Sequence, residues 1–215
     1  LGEAREDVFV IGSPELDVHR APSGVTLAEV RARYEIPFDD FGIVLFHPVT
    51  SEQDTIGAQA RMLFDALQGA GRAFVVISPN NDPGSEQIFS AIAALPTASF
   101  RHIPSMRFAY FSELMRNAAA VVGNSSLGVR EAPFLGVPSL NVGTRQTNRA
   151  RSGSVIHADA SDSDTIAGFL SKNWGKRHQP DNSFGAGDAA GKFVTALAGA
   201  SFWQRGRQKL FIDQR

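Results

Sequence analysis

Short apolar runs alternate along this chain with stretches of helical spacing, and that alternation narrows the available folds more than any other feature. Ile43-Val44-Leu45-Phe46, Phe74-Val75-Val76-Ile77 and Ala118-Ala119-Ala120-Val121-Val122 contain no polar residue. A strand that is apolar on both of its faces has to be covered on both faces. Between these runs, Ile56, Ala60, Leu63 and Leu67 recur at helical spacing, so roughly Gln53 to Gln68 is expected to be a helix. Gly69 and Gly71 end it. Further strands are expected at Val8 to Gly12, Phe74 to Ser78, Ser99 to Ile103, Ser139 to Val142 and Ser154 to His157. Further helices are expected at Leu27 to Tyr34, Ser85 to Leu95, Phe108 to Asn117, Leu127 to Leu135 and around Ile166 to Trp174. Lys172 to Ser183 reads as a polar loop, and two terminal helices follow near Ala189 to Leu197 and Phe202 to Ile212. Strands separated by helices in this way make an α/β fold, a Rossmann-like doubly wound parallel sheet, with Phe41 to His157 as one wound unit.

Composition excludes several classes. The 215 residues carry a net charge of −1, so nothing draws the chain to nucleic acid or to an anionic membrane surface. No apolar stretch approaches the roughly 18 residues needed to span a bilayer. Cysteine is absent, which removes disulfides and thiolate metal sites and suits a cytoplasmic protein. The chain opens at Leu1 without a signal-peptide pattern, which suggests a fragment or a processed chain; removal of an initiator Met or a tag is the plainer alternative.

In doubly wound sheets, ligands bind beyond the carboxyl ends of the strands. Three polar clusters fall there: His47-Pro48-Val49-Thr50, Asn124-Ser125-Ser126 and Gly143-Thr144-Arg145-Gln146. A helix start carries unpaired N–H groups and partial positive charge, so hydroxyls of Ser125 or Ser126 beside it make an anion site without a glycine-rich loop. Arg145 adds a bidentate donor for phosphate. Glu131 repels phosphate and suits ribose hydroxyls instead. Each residue also has a plain reading: Asn124 and Ser125 as helix N-caps, His47 as a satisfied loop histidine, Arg145 and Arg149 as solvated surface charges.

The wording of these clusters carries a resemblance. "LFHPVTSE", "VVGNSSLGVREAPFLGVPSLNVGTRQTNR" and "FGAGDAAGKFV" resemble the carboxyl half of UDP-N-acetylglucosamine 2-epimerases, with the hydrolysing branch of sialic-acid-type sugar synthesis most similar. The similarity runs from about Val8 to "FWQRGRQKLFID". It implies the carboxyl-terminal half of a glycosyltransferase-B-like fold, with residues 1–215 as one nucleotide-binding domain and terminal helices 189–212 packing across it. The amino-terminal catalytic domain, some ~160 to 180 residues, is expected to lie upstream and outside this chain.

The resemblance implies UDP or a UDP-sugar as partner, no cofactor and no metal. Ser125, Ser126 and Glu131 match positions holding the diphosphate and ribose; Asn124 stands beside them, and Arg145 matches the arginine of the nucleotide pocket. His47 matches a catalytic histidine near the diphosphate. Phe111, in "IPSMRFAYFSELMRNA", falls where an aromatic packs on uracil, or else is helix core. Gly185, Gly187 and Asp188 match a cleft-facing turn in which Asn is common at the last position. The implied reaction removes the C2 proton, expels UDP from C1 and adds water to a glucal-type intermediate, releasing N-acetylmannosamine. This chain alone is expected to be inactive, and the full-length enzyme a homodimer. Three other readings remain. A UDP-sugar glycosyltransferase half would serve the same pocket. A ribokinase-like sugar kinase would share the Gly-Ala-Gly-Asp turn. A nucleotide-sugar sensor would bind without turnover.

Overall fold

A computed structural model describes residues 3–149 and 152–204. Six strands form one parallel sheet: β1 (Gly42–Leu45), β2 (Phe74–Ile77), β3 (Phe100–Ile103), β4 (Val121–Gly123), β5 (Ser139–Val142) and β6 (Val155–Ala158). Their spatial order is β3-β2-β1-β4-β5-β6. The chain builds outward from β1 on one side, then returns to start again at β4 on the other. The seam between β1 and β4 is therefore the point where the connections diverge, the place at which doubly wound sheets receive ligands beyond the carboxyl ends of their strands.

Alternate residues of each strand enter two separate cores, as strand geometry requires. Val44, Phe74, Val76 and Val122 pack with α3 (Ile56–Gly69), α4 (Ser85–Ala93) and α7 (Ser163–Asn173). Ile43, Val75 and Val121 pack on the opposite face with α2 (Leu27–Tyr34), α5 (Phe108–Asn117) and α6 (Leu127–Phe134). The expected apolar positions of α3, Ile56, Ala60, Leu63 and Leu67, are all fully buried. Local signals set the helix starts. Thr26 and Glu29 form a reciprocal capping box on α2, and Asp162 accepts the Thr165 N–H at 2.9 Å to start α7.

Contacts divide the chain into two compact units, Pro22–Asp181 and a second drawn from the two termini. The sheet lies wholly in the first. The second contains α1 (Glu15–Arg20), α8 (Ala189–Ala198) and α9 (Ala200–Trp203). Within it, both Asp17 carboxylate oxygens accept the N–H groups of Ala190 and Ala189, at 2.7 and 2.8 Å. These bonds hold the Asp17 carboxyl below its ordinary range.

Three expectations need correction. Val8 to Gly12 is not a strand. Val8 and Val10 are exposed, and Ser13 N–H pairs with Phe184 O at 2.8 Å rather than with a sheet neighbour. An apolar run makes a strand only where a sheet edge receives it. After it, Pro14 leads into α1 ahead of Glu15 and Asp17. The helix expected from Gln53 begins at Ile56, because Thr50–Glu52 forms a 3₁₀ turn first. The polar loop begins after Asn173, since Lys172 still belongs to α7. Of the last expected helix, Phe202 and Trp203 lie in α9 and the part beyond Gln204 falls outside the described residues. Among the described residues no helix is long and apolar enough to cross a membrane.

Candidate functional site

Gly123 ends β4 in a backbone conformation, φ 134°, that side chains avoid. A Cβ there would meet Leu45 O at 2.1 Å, so only glycine lets the end of β4 lie this close to β1. The close approach delivers Asn124 to the seam. Its side chain bonds the backbone of His47 twice: Oδ1 accepts the His47 N–H at 2.7 Å and Nδ2 donates to His47 O at 2.8 Å. Its own N–H donates to Leu45 O at 3.2 Å. Asn124 is only 1% exposed, so its amide groups are satisfied within the protein. The expected N-cap role does not describe it; it stitches β1 to β4.

The loop after β5 closes on the same residue. Gly143 turns the chain in the left-handed region. Arg145 then donates from Nη1 to Asn124 O at 3.2 Å, and the fully buried Gln146 donates from Nε2 to the same oxygen at 3.0 Å. The Thr144 hydroxyl donates to the Glu52 carboxylate, which also accepts from Gln59 Nε2 at 3.0 Å. The loops following β1, β4 and β5 thus converge on Asn124.

His47 sits half-buried at this junction. Its Nδ1 accepts the N–H of Asn80, from the loop after β2, at 3.0 Å. Burial above all, then the Arg145 guanidinium, pushes the imidazole pKa down to about 4, against the opposing pull of Asp82. The ring is neutral near pH 7. With Nδ1 an acceptor, the proton resides on Nε2, which can donate to a ligand without carrying charge.

Ser125 and Ser126 precede α6. Ser126 occupies its N-cap position but makes no side-chain cap bond; its Oγ accepts from Arg130 Nη2 at 3.2 Å. Ser125 Oγ accepts the Leu127 N–H at 3.5 Å. Glu131 lies one turn into α6 and is 8% exposed. Phe111 is half-buried in α5, its ring 6.4 Å from that of Phe108 and packed against the second core, so it is not part of the hydrogen-bonded cluster around Asn124. Gly185, Gly187 and Asp188 belong to the terminal unit. There Asp188 is the N-cap residue of α8 and pairs with Lys192 at 2.9 Å. Sequence reasoning missed Asn80, whose contribution is a main-chain N–H, and the partnership of Arg130 with Ser126. It named Gln146 within a cluster without foreseeing its complete burial. Gly123 before Asn124 was a usable signal, because a glycine ending a buried strand marks close backbone approach.

The arrangement gathers a guanidinium, a helix start, two hydroxyls and a neutral imidazole N–H at one rim, a set suited to an anion. Among the described residues no cluster of three His, Asp or Glu could hold a metal ion.

A family model described as UDP-N-acetylglucosamine 2-epimerase matches residues 1–198. The chain is 38% identical to a UDP-N-acetylglucosamine 2-epimerase of Neisseria meningitidis over 216 residues, covering 99% of this chain and 57% of that protein. It is 30% identical to a UDP-N,N'-diacetylbacillosamine 2-epimerase (hydrolyzing) of Legionella pneumophila, covering 74% of this chain and 43% of that one. The chain thus spans about half the length of the relatives it matches. Among solved structures, it resembles Methanocaldococcus jannaschii UDP-GlcNAc 2-epimerase in complex with UDP-GlcNAc and UDP. The TM-score is 0.70 at 17% identity, over 92% of this chain and 56% of that one. It also resembles the S. aureus MnaA–UDP co-structure, with TM-score 0.68 at 16% identity, over 99% and 58%. At these identities the likeness speaks for the fold alone, the Rossmann-like sheet expected from the sequence. The family match over most of the chain settles the rest: this chain belongs to the UDP-N-acetylglucosamine 2-epimerase family.

Proposed function

We propose that this chain is the nucleotide-binding half of a hydrolysing UDP-N-acetylglucosamine 2-epimerase, and that the rim at the β1–β4 seam holds the diphosphate of a UDP-sugar. The observation that carries the proposal is the convergence of His47, the Asn124-Ser125-Ser126 segment and Arg145 at the divergence point of the sheet, tied through Asn124. The family match and the relatives' names supply the nucleotide and the sugar class; the hydrolysing branch rests on relatives such as the Legionella enzyme.

In this reading Arg145, the Ser125 and Ser126 hydroxyls and the α6 start bind the diphosphate, Glu131 takes the ribose hydroxyls, and Phe111 lies against uracil. The reaction removes the C2 proton of the sugar to a base as the C1–oxygen bond breaks, leaving a C1–C2 double bond and UDP. Water then adds at C1 and a proton returns to C2 on the other face, giving N-acetylmannosamine. The task of this half is to stabilise the negative charge gathering on the departing diphosphate. Donors already fixed in place do so without reorganising. His47, neutral and donating from Nε2, contributes a directed hydrogen bond there. The proton-moving carboxylates belong to the portion of the longer relatives that this chain does not match, so this chain alone gives no turnover. The full-length enzyme acts as a cytoplasmic homodimer in amino-sugar synthesis.

Calorimetry with UDP tests the pocket. The parent chain binds, and Arg145→Ala and Ser125→Ala each weaken binding, Arg145→Ala by about tenfold or more. Unchanged affinity in both would remove the pocket. For the full-length protein, release of N-acetylmannosamine and UDP in equal amounts is expected; epimerised sugar still attached to UDP would overturn the hydrolysing branch.

A further inference from the structure

Three groups at the β1–β4 rim have an acceptor site already committed to a protein N–H. His47 Nδ1 takes the Asn80 N–H, Ser125 Oγ takes that of Leu127 at the 3.5 Å limit of such a bond, and Ser126 Oγ takes Nη2 of Arg130 at 3.2 Å. Each of these side chains still has a proton to offer outward. The Arg130–Ser126 bond is the one among them made by a charged side chain, and its geometry is set by the helix: four residues apart, the two side chains share a face one turn from each other. Ser126 makes no side-chain cap bond, because its backbone is helical, φ −61° and ψ −21°, and the Gly128 and Val129 N–H groups already donate to Ser125 O and Ser126 O at 3.1 Å.

We infer that Arg130 is a positioning residue for the anion site. By donating to Ser126 Oγ it fixes that oxygen as an acceptor on its inner side and turns the hydroxyl proton outward as a donor to phosphate. A hydroxyl has one proton and two lone pairs, so committing a lone pair to a cation keeps the proton off that side and leaves it among the outward directions. The same bond polarises the O–H and strengthens the donation it makes. Without Arg130, the Ser126 hydroxyl is free to rotate, presenting a lone pair to the phosphate in part of the population. This inference rests on the reading that the rim takes a diphosphate.

A double-mutant cycle on the full-length protein separates this role from a general one. UDP affinity is measured by calorimetry for the parent, Ser126→Ala, Arg130→Met, Arg130→Lys and the Ser126→Ala/Arg130→Met double variant. Arg130→Met is expected to weaken UDP binding about tenfold in the parent but less than about threefold when Ser126 is already Ala. Arg130→Lys, which keeps a charged donor, is expected to retain affinity within about threefold. Equal losses from Arg130→Met in both backgrounds overturn the role through Ser126. If Arg130→Met does not fold, Arg130→Gln replaces it in the cycle. A parent that does not bind UDP fails at the first measurement, which sinks the diphosphate reading and this inference with it. A parent that binds, with an additive cycle, sinks only the inference.

Discussion

Replacing Asn124 by Ala tests whether the seam depends on one side chain. The substitution removes the bonds to His47 N–H at 2.7 Å and His47 O at 2.8 Å, both in a part-buried setting. A backbone group left without a partner away from water costs about 1–3 kcal/mol. Two such groups, partly reached by solvent once the amide is gone, give an expected loss of about 3 kcal/mol. For a chain of this size that lowers Tm by roughly 10 °C. Urea unfolding followed by circular dichroism reads the loss directly, with an unchanged slope showing that the two end states are the same. Asn124→Asp sharpens the test. It keeps the acceptor for His47 N–H but sets a carboxylate oxygen against His47 O. At neutral pH it should be at least as destabilising as Ala. A carboxyl held there has a raised pKa, so relative to the parent the Asp variant regains stability as pH falls and the protonated oxygen can donate to His47 O. A Asn124→Ala variant within about 0.5 kcal/mol of the parent would show that the seam is held by strand pairing alone.

Gly123→Ala should not fold stably, since its Cβ would meet Leu45 O at 2.1 Å, whereas Gly168→Ala inside α7, with nothing within 4 Å, should stabilise by about 0.5–1 kcal/mol; thermal melts of the pair check both. His47, with its pKa pushed down to about 4, should show imidazole nitrogen shifts by NMR that stay constant from pH 8 to about pH 5.5, and Arg145→Ala should move its titration upward. Because its folded pKa lies below its unfolded one, the unfolded chain binds the extra proton, so stability is full above about pH 6.5 and falls as pH drops toward 4. The loss attributable to His47 is up to about 3 kcal/mol, less what water screens. It should be missing from His47→Gln, and equal acid sensitivity in that variant would refute the assignment.

The fold was legible wherever burial left a mark on residue type. The all-apolar runs at Ile43 to Phe46 and Phe74 to Ile77 became paired central strands because only a sheet covered on both faces accommodates them. Val8 to Gly12 has the same look and failed, because composition does not say whether a sheet edge is available. For the candidate site, the rule that ligands sit at strand carboxyl ends pointed to three loops that the structure brings together around Asn124. It could not say that Asn124 would face inward as a bridge rather than cap α6, since either use asks for the same amide. Nor was Asn80 visible, because the main-chain N–H it gives His47 would be present with almost any side chain.

The seam has a consequence for the order of assembly. His47 and Asn124 are 77 positions apart in the chain, so joining β1 to β4 closes a far longer loop than joining β1 to β2. Long-range closures tend to be slow, and the partners of this one are not all synthesised until β4 and the loop beyond it have emerged. The junction at the seam therefore matures late. Any ligand held by the completed junction rewards only finished molecules, drawing stragglers forward by mass action and leaving half-built ones unaided.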